Sequence, residues 1–394
     1  MQYSIKKLFN HIKWSDIGHF FLCLFVFPWA ICAKLFLRGY WLVCEDKNEA
    51  RDNGYHFFKW VRVHRPKQKI LYAICKKSPD YDKVKGLGKV IGYGTISHWF
   101  WYLVADKNIS SQKGGKPNAA VCYFFEVVLK LRKKNRVFLQ HGITVSNGTW
   151  LYYKNTGFWR FITAAKDEHD YVTAQFGYPK ENVKLLGFSR FDALHDIEVD
   201  KDLILVMPSW RQWLGRESQE NKNLDFTTTS YYQHWNGFLN SEKLKELLEK
   251  HDKKLLFYPH RNMQKFLRHF SANSDRIEIA DWKKHDIQAL LKRAALMITD
   301  YSSVFFDFSY MSKPVIFYQF DEREFREKQY AEGYFDYHTT VLGDFAATEE
   351  ETLDLLEKQL QDGLSLRSEE VTRSFFPLWD KHNNERIYEE IKRK

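Results

Sequence analysis

The chain has few of the residues that make a stapled or an unstructured protein. Cysteine occurs 5 times in 394 residues, and Cys23, Cys32, Cys44, Cys75 and Cys122 all lie in the first third. No two have C-x-x-C spacing, which argues against a disulfide framework or a zinc site and for a reducing, cytosolic setting. With 9 prolines and 19 glycines, and no internal repeat or low-complexity tract, the composition is that of a folded chain. Zinc-finger spacing, an RNP-like motif and a Lys/Arg tract with interleaved aromatics are all missing, so nucleic acid is not an expected partner. Nor is there an acidic cage of the kind that holds a catalytic cation; no metal site is expected. The apolar run 20–33 is only 14 residues long, short of the roughly twenty needed to cross a bilayer.

What is present in excess is aromatic side chains and positive charge. Phe, Trp and Tyr make up 17% of the chain, and the formal net charge is +10. Aromatics furnish cores and also anchor proteins at membrane interfaces. The charge draws the chain toward anions, whether phosphate-bearing substrates or an anionic membrane surface. The run 20–33 is preceded by Lys6, Lys7 and Lys13 and followed by Lys34 and Arg38. A secretory signal, a span kinked at Pro28, an interfacial helix and a buried domain helix all fit that pattern. The basic edges and aromatic content favour the interfacial helix, and hence peripheral or monotopic attachment.

The length suggests two domains. Strand-like runs at 40–44, 69–75, 89–93 and 136–140 alternate with helical spacing at 54–62 and 96–104, the rhythm of a parallel sheet. A second run of the same rhythm starts at 202–207. It continues through a helix at 241–251, a strand at 254–258, a helix at 286–293 and strands at 294–298 and 314–318. The polar stretch 194–201 separates the two. The expected division is a membrane-associating segment 1–39, a first Rossmann-like domain 40–195, a second at 200–372, and a C-terminal helix 373–394 that packs back on the first. Two such domains facing one another would set strand ends on either side of a cleft.

Chemistry-bearing residues recur just past the apolar runs. Gln140-His141-Gly142 puts an imidazole, with a pKa near 6.5 in water, and a residue without a side chain at a strand end. Pro208-Ser-Trp-Arg211 offers a guanidinium able to clamp phosphate oxygens, and Tyr258-Pro-His260-Arg261 a second imidazole. In Thr299-Asp300-Tyr-Ser302-Ser303 the serines open a helix-like stretch ending near Met311. Its amides suit an anion, and Asp307, one turn on, suits a ribose hydroxyl. Taken singly, each has an ordinary structural explanation: a turn histidine, a surface arginine, a capped helix. Their recurrence at four strand ends favours a shared site.

The same residues resemble the CDP-glycerol glycerophosphotransferase family, the teichoic-acid and capsule polymer synthases of GT-B type. The resemblance rests on Asp52-Asn53-Gly54 with Phe57-Phe58, His98, Ala105-Asp106-Lys107 with Ser110-Ser111, and Gln140-His141-Gly142. It continues through Gly187, Arg190 and Asp192, Pro208-Ser-Trp-Arg211, Pro259-His260, Thr299-Asp-Tyr-Ser-Ser303 with Phe306-Asp307, Lys313-Pro314 and Phe317. Family members often carry a tryptophan between the glutamine and the His-Gly pair; this chain does not. The resemblance implies an α/β, GT-B-like fold of two facing doubly wound domains with a membrane-associating N-terminal helical segment. It also implies transfer of glycerol phosphate or ribitol phosphate from a CDP-polyol to a hydroxyl of a lipid-linked or polymeric acceptor, releasing CMP, at the cytoplasmic face of the bacterial membrane.

In that scheme His141 is the base and His260 stabilises phosphate charge as an imidazolium. Arg211, Asp300, Ser302, Ser303, Asp307, Gly142 and Asn53 bind substrate, and no divalent ion is strictly required. The absence of the long N-terminal domain of the large polymerases suggests a shorter primase-like or side-chain transferase. Two alternatives remain: a GT-B glycosyltransferase using a UDP-sugar on a glycan acceptor, and a non-catalytic anion- or lipid-binding relative.

Overall fold

The computed structural model describes residues 12–131, 135–215 and 225–393; Lys6 and Lys7 lie outside them. By its contacts the chain divides into two units. The first comprises residues 1–141, 149–193 and 380–394, and the second residues 142–148 and 194–379.

Seven strands form the sheet of the first unit: β1 (Tyr40–Val43), β2 (Lys69–Ile74), β3 (Val90–Gly92), β4 (Lys107–Ser110), β5 (Arg136–Phe138), β6 (Arg160–Thr163) and β7 (Val183–Leu185). Their order is β3-β2-β1-β4-β5-β6-β7, with every pair parallel. Side chains of a strand alternate between faces. Trp41 and Val43 accordingly join a core with Phe57, Phe58 and Val61 of the helix Asn53–His64. Leu42 and Cys44 join another with Trp99 and Tyr102 of the helix Ile96–Val104.

The terminal helices take opposite faces. The C-terminal helix Asn383–Lys392 adds Ile387, Tyr388 and Ile391 to the first core. Its start is fixed by Asp192, whose two carboxylate oxygens accept the backbone N–H groups of Asn383 and Asn384, both at 2.9 Å. An anion at a helix N-terminus is favourable.

The N-terminal helix runs over Trp14–Lys34, six residues earlier than the apolar run begins. Asp16 explains the early start: it accepts the Lys13 N–H at 2.9 Å and the Asn118 side-chain amide at 2.8 Å. His19 likewise accepts the Trp99 indole N–H at 3.1 Å. Cys23, Val26 and Ala30 are its buried residues. Phe21, Phe25, Trp29 and Phe36 in and just beyond the helix are exposed, so it is not a buried domain helix. At 21 residues, with a mean hydropathy of 1.7 over its most apolar 18-residue window, it is long and apolar enough to cross a membrane by length and composition.

The second unit holds a six-stranded parallel sheet: β8 (Asp200–Met207), β9 (Lys254–Phe257), β10 (Ile277–Ile279), β11 (Ala294–Thr299), β12 (Val315–Tyr318) and β13 (Asp344–Ala346). The order is β10-β9-β8-β11-β12-β13. Central β11 is buried along its whole length, as expected of a parallel strand covered on both faces. Val206 on β8 lies level with Phe257 on one side and Ile298 on the other. In each sheet the strand order reverses beside the first strand, between β1 and β4 and between β8 and β11, which is where doubly wound sheets bind ligands.

Candidate functional site

In the first unit the site is built around an unusual peptide. Gln140, two residues past β5, has φ of 60°, a conformation that costs a non-glycine residue about 1–3 kcal/mol. Asn53 holds it there. Its buried side-chain amide donates to the Gln140 carbonyl at 2.6 Å, while its oxygen accepts the Arg190 N–H at 3.0 Å. The Gln140 side chain turns forward to accept the His141 N–H at 2.9 Å. Asn53 is itself placed by buried Glu45, which accepts the backbone N–H groups of Tyr55 at 2.8 Å and Arg51 at 3.1 Å. A Cβ on Gly54 would lie 2.8 Å from the Glu45 side chain, so this close approach needs glycine. Burial pushes the Glu45 carboxyl up, and the three backbone bonds oppose the shift.

His141 comes out of this frame with its side chain exposed. Surrounding protein, reinforced by the Arg190 guanidinium, lowers its pKa to about 4 against a hydrogen bond to the Ser111 backbone. A ring N–H given to a carbonyl leaves the other ring nitrogen with its lone pair. Near neutral pH His141 is therefore an uncharged, oriented imidazole. Asn53, expected to bind substrate, is fully buried and committed to Gln140 and Arg190; its place is behind the histidine. His98 is also buried. It accepts the Gly94 N–H at 3.1 Å, and burial lowers its pKa to about 3.

In the second unit the carboxyl ends of β8 and β11 are tied by a buried charge network. Arg211 has no exposed surface. It pairs with both oxygens of Asp321 at 2.7 and 3.0 Å and with Asp300 at 2.9 Å, and donates to the Ser209 hydroxyl at 2.9 Å. The two carboxylates raise the guanidinium pKa against the opposing effect of burial. Asp300 also accepts the N–H groups of Ser209 and Tyr301 at 2.8 and 2.6 Å.

These contacts correct two expectations. Arg211 and Asp300 are buried framework, turned toward each other and closed to a ligand. Asp307 is also buried, at 2% exposure, and so is closed to a ribose hydroxyl. The helix expected from Ser302 begins at Phe305 and ends at Tyr310, with Val304 before it and no side-chain cap. Ser302 and Ser303 form the turn ahead of it and stay half-exposed.

His260 is half-exposed past β9 and stacks on Trp210, ring centroids 6.0 Å apart. Its Nδ1 accepts the Asn262 N–H at 3.1 Å, which leaves the proton on Nε2. Burial lowers its pKa to about 4, with Asp300 opposing. It is thus a neutral donor, not the expected imidazolium. Gly142 groups with this unit, where a Cβ would come within 2.8 Å of the Ser303 hydroxyl.

Asp321 and Gln319 were not singled out from sequence. Asp321 completes the arginine clamp, and Gln319 donates to the Asp300 carbonyl at 2.9 Å. Their signal was position: residues 319–321 directly follow β12. Among the described residues no group of three or more His, Cys, Asp or Glu side chains is placed to hold a metal ion.

Two parallel α/β units thus carry imidazoles, serines and a buried arginine clamp at their strand ends. The CDP-Glycerol:Poly(glycerophosphate) glycerophosphotransferase family matches residues 38–393, and the chain belongs to it. It is 32% identical over 363 residues to the minor teichoic acid biosynthesis protein GgaB of Bacillus subtilis (strain 168). That match takes in 89% of this chain and 39% of GgaB, so the chain spans about two fifths of that relative's length. A stretch of 96 residues, 24% of this chain and 12% of the relative, is 35% identical to the teichoic acid poly(glycerol phosphate) polymerase of the same strain. The fold is that of the wall teichoic acid polymerase TagF, at a TM-score of 0.61 and 15% identity over 95% of this chain and 97% of that one. A putative UDP-N-acetylglucosamine 2-epimerase from Listeria monocytogenes shares it more loosely, with a TM-score of 0.56 and 14% identity over 90% and 95% of the two chains.

Proposed function

We propose that this chain transfers glycerol phosphate from CDP-glycerol to a hydroxyl of a lipid-linked or polymeric acceptor, releasing CMP, in teichoic acid synthesis. The observation that carries this reading is the family match across nearly the whole chain. An acceptor oxygen attacks the β-phosphorus, a new P–O bond forms, and the bond to the bridging oxygen breaks so that CMP leaves. His141 takes the acceptor proton, a role for which a neutral, oriented imidazole is suited. His260 gives its Nε2–H to a phosphoryl oxygen, and Ser302 and Ser303 offer hydroxyls and backbone N–H groups in the same unit. Such transfers depend mainly on positioning and charge stabilisation. Arg211 and Asp300 act from beneath by holding the loops.

The reaction is read as having no strict need of a divalent ion. Turnover after exhaustive chelation tests that point, and activity abolished by chelation and restored by magnesium contradicts it. The exposed aromatic helix and flanking basic residues support attachment at the cytoplasmic face of the membrane, peripherally or as a monotopic helix. Incubation with CDP-glycerol, CDP-ribitol and UDP-sugars tests the whole reading. CMP release from CDP-glycerol is expected; UDP release instead identifies a glycosyltransferase, and no release of either identifies a binding protein.

A further inference from the structure

The N-terminal helix does not close onto the first unit along its full length. Between it and the helix Ile96–Val104 lies a groove of ≈ 460 Å³, within the size range of small-molecule sites, about 300–1,000 Å³. Its walls are almost wholly apolar: Phe27, Ala30 and Ile31 on one side, Trp99, Leu103 and Phe125 on the other.

Two charged residues line it, and both inform the choice of occupant. Glu126 is engaged by its neighbours. Its carboxylate accepts the Tyr102 hydroxyl and pairs with Lys116 at 3.5 Å and Arg136 at 3.4 Å. Lys34 sits in the last turn of the N-terminal helix, exposed. The wall carrying Phe125 and Glu126 is wound as a π-helix, Phe124–Val128, a rare geometry often found at functional positions. The groove rim, with Leu24, Phe27 and Ile31 between 46% and 52% exposed, runs on into the outward apolar surface of the same helix.

We propose that this groove holds the hydrocarbon chain of one phosphate-bearing membrane lipid, with its headgroup at Lys34. An apolar trough without a free polar group selects a hydrocarbon. A cation at its mouth complements a phosphate, and an opening continuous with the apolar helix face lets a chain enter from the bilayer. The proposal rests on the membrane attachment read above, but claims more: one lipid leaves the bilayer plane and is held inside the fold.

Photolabelling separates the two claims. The full chain is bound to phosphatidylglycerol vesicles carrying a phosphatidylglycerol with a diazirine midway along its acyl chain, then irradiated and mapped by mass spectrometry. Label is expected on Trp99, Leu103 and Phe125. Leu103→Trp, or the exposed-site change Ile31→Trp, should lower that label roughly tenfold and leave vesicle binding unchanged. Vesicle binding with label confined to Phe21, Phe25, Trp29 and Phe36 upholds attachment and overturns the groove. If the chain does not bind vesicles, attachment fails. The same lipid presented in detergent micelles then decides the groove, and an unlabelled groove there overturns it.

Discussion

The two units share a strand order but use their strand ends in opposite ways. In the first, a backbone residue is held in a costly conformation by buried neutral groups, and the product is an exposed imidazole. In the second, full charges are buried, and the product is a pair of tethered loops, one of which carries Ser302 and Ser303. Orienting one lone pair needs a stiff peptide. Holding two loops in register needs long-reaching, directional ion pairs. The common fold thus supplies a place for chemistry, and the local residues decide which part of it each unit performs.

The sharpest break in this comparison comes at Arg211. Arg211→Met leaves Asp300 and Asp321 buried without their partner, and loss of one member of a buried pair costs about 3–5 kcal/mol. Thermal or denaturant unfolding should show that loss, with donor binding reduced alongside. Arg211→Lys keeps the charge but not the two-pronged contact with Asp321, so a smaller loss is expected. Equal stability in all three proteins would mean that the network does not hold the loops.

Asn53→Ala is the matching test in the first unit. It orphans the Gln140 carbonyl and the Arg190 N–H, at about 1–3 kcal/mol, and frees the strained peptide. Turnover should fall by more than donor affinity does; a fall confined to donor affinity would place Asn53 with the substrate after all.

The smallest effect is in pH. Both histidine pKa values are lowered to about 4, so turnover should be level from about pH 5.5 upward and decline on an acid limb near pH 4. An acid limb near 6.5 would show ordinary imidazoles. His98, lowered to about 3, binds its proton more readily in the unfolded chain. Its contribution to stability is therefore complete above about pH 6.5 and is lost as pH falls toward 3.

The β8 and β11 runs are nearly all apolar, so the central strands and their order of appearance were legible from sequence. Several short strands were not. Lys107-Asn-Ile-Ser110, Ile277-Glu-Ile279 and Asp344-Phe-Ala346 are short and interrupted by polar residues, and each pairs with a more apolar neighbour. The strand-end rule pointed to His141, His260 and the serines, which the structure leaves at least half-exposed. It could not distinguish groups that face a ligand from groups that face each other. Arg211, Asp300 and Asn53 look like ligand-binding residues by type, and only their burial reveals them as framework. Asp321, 110 residues from Arg211 in the chain, had only its place just past β12 as a signal.

The central proposal is that the neutral imidazole of His141 takes the acceptor proton. The direct test is CMP release from CDP-glycerol by His141→Ala, with donor affinity measured on the same protein by calorimetry. The account predicts turnover lower by roughly 10²–10⁴-fold and donor affinity within about threefold of the parent. Turnover at the parent level would contradict it.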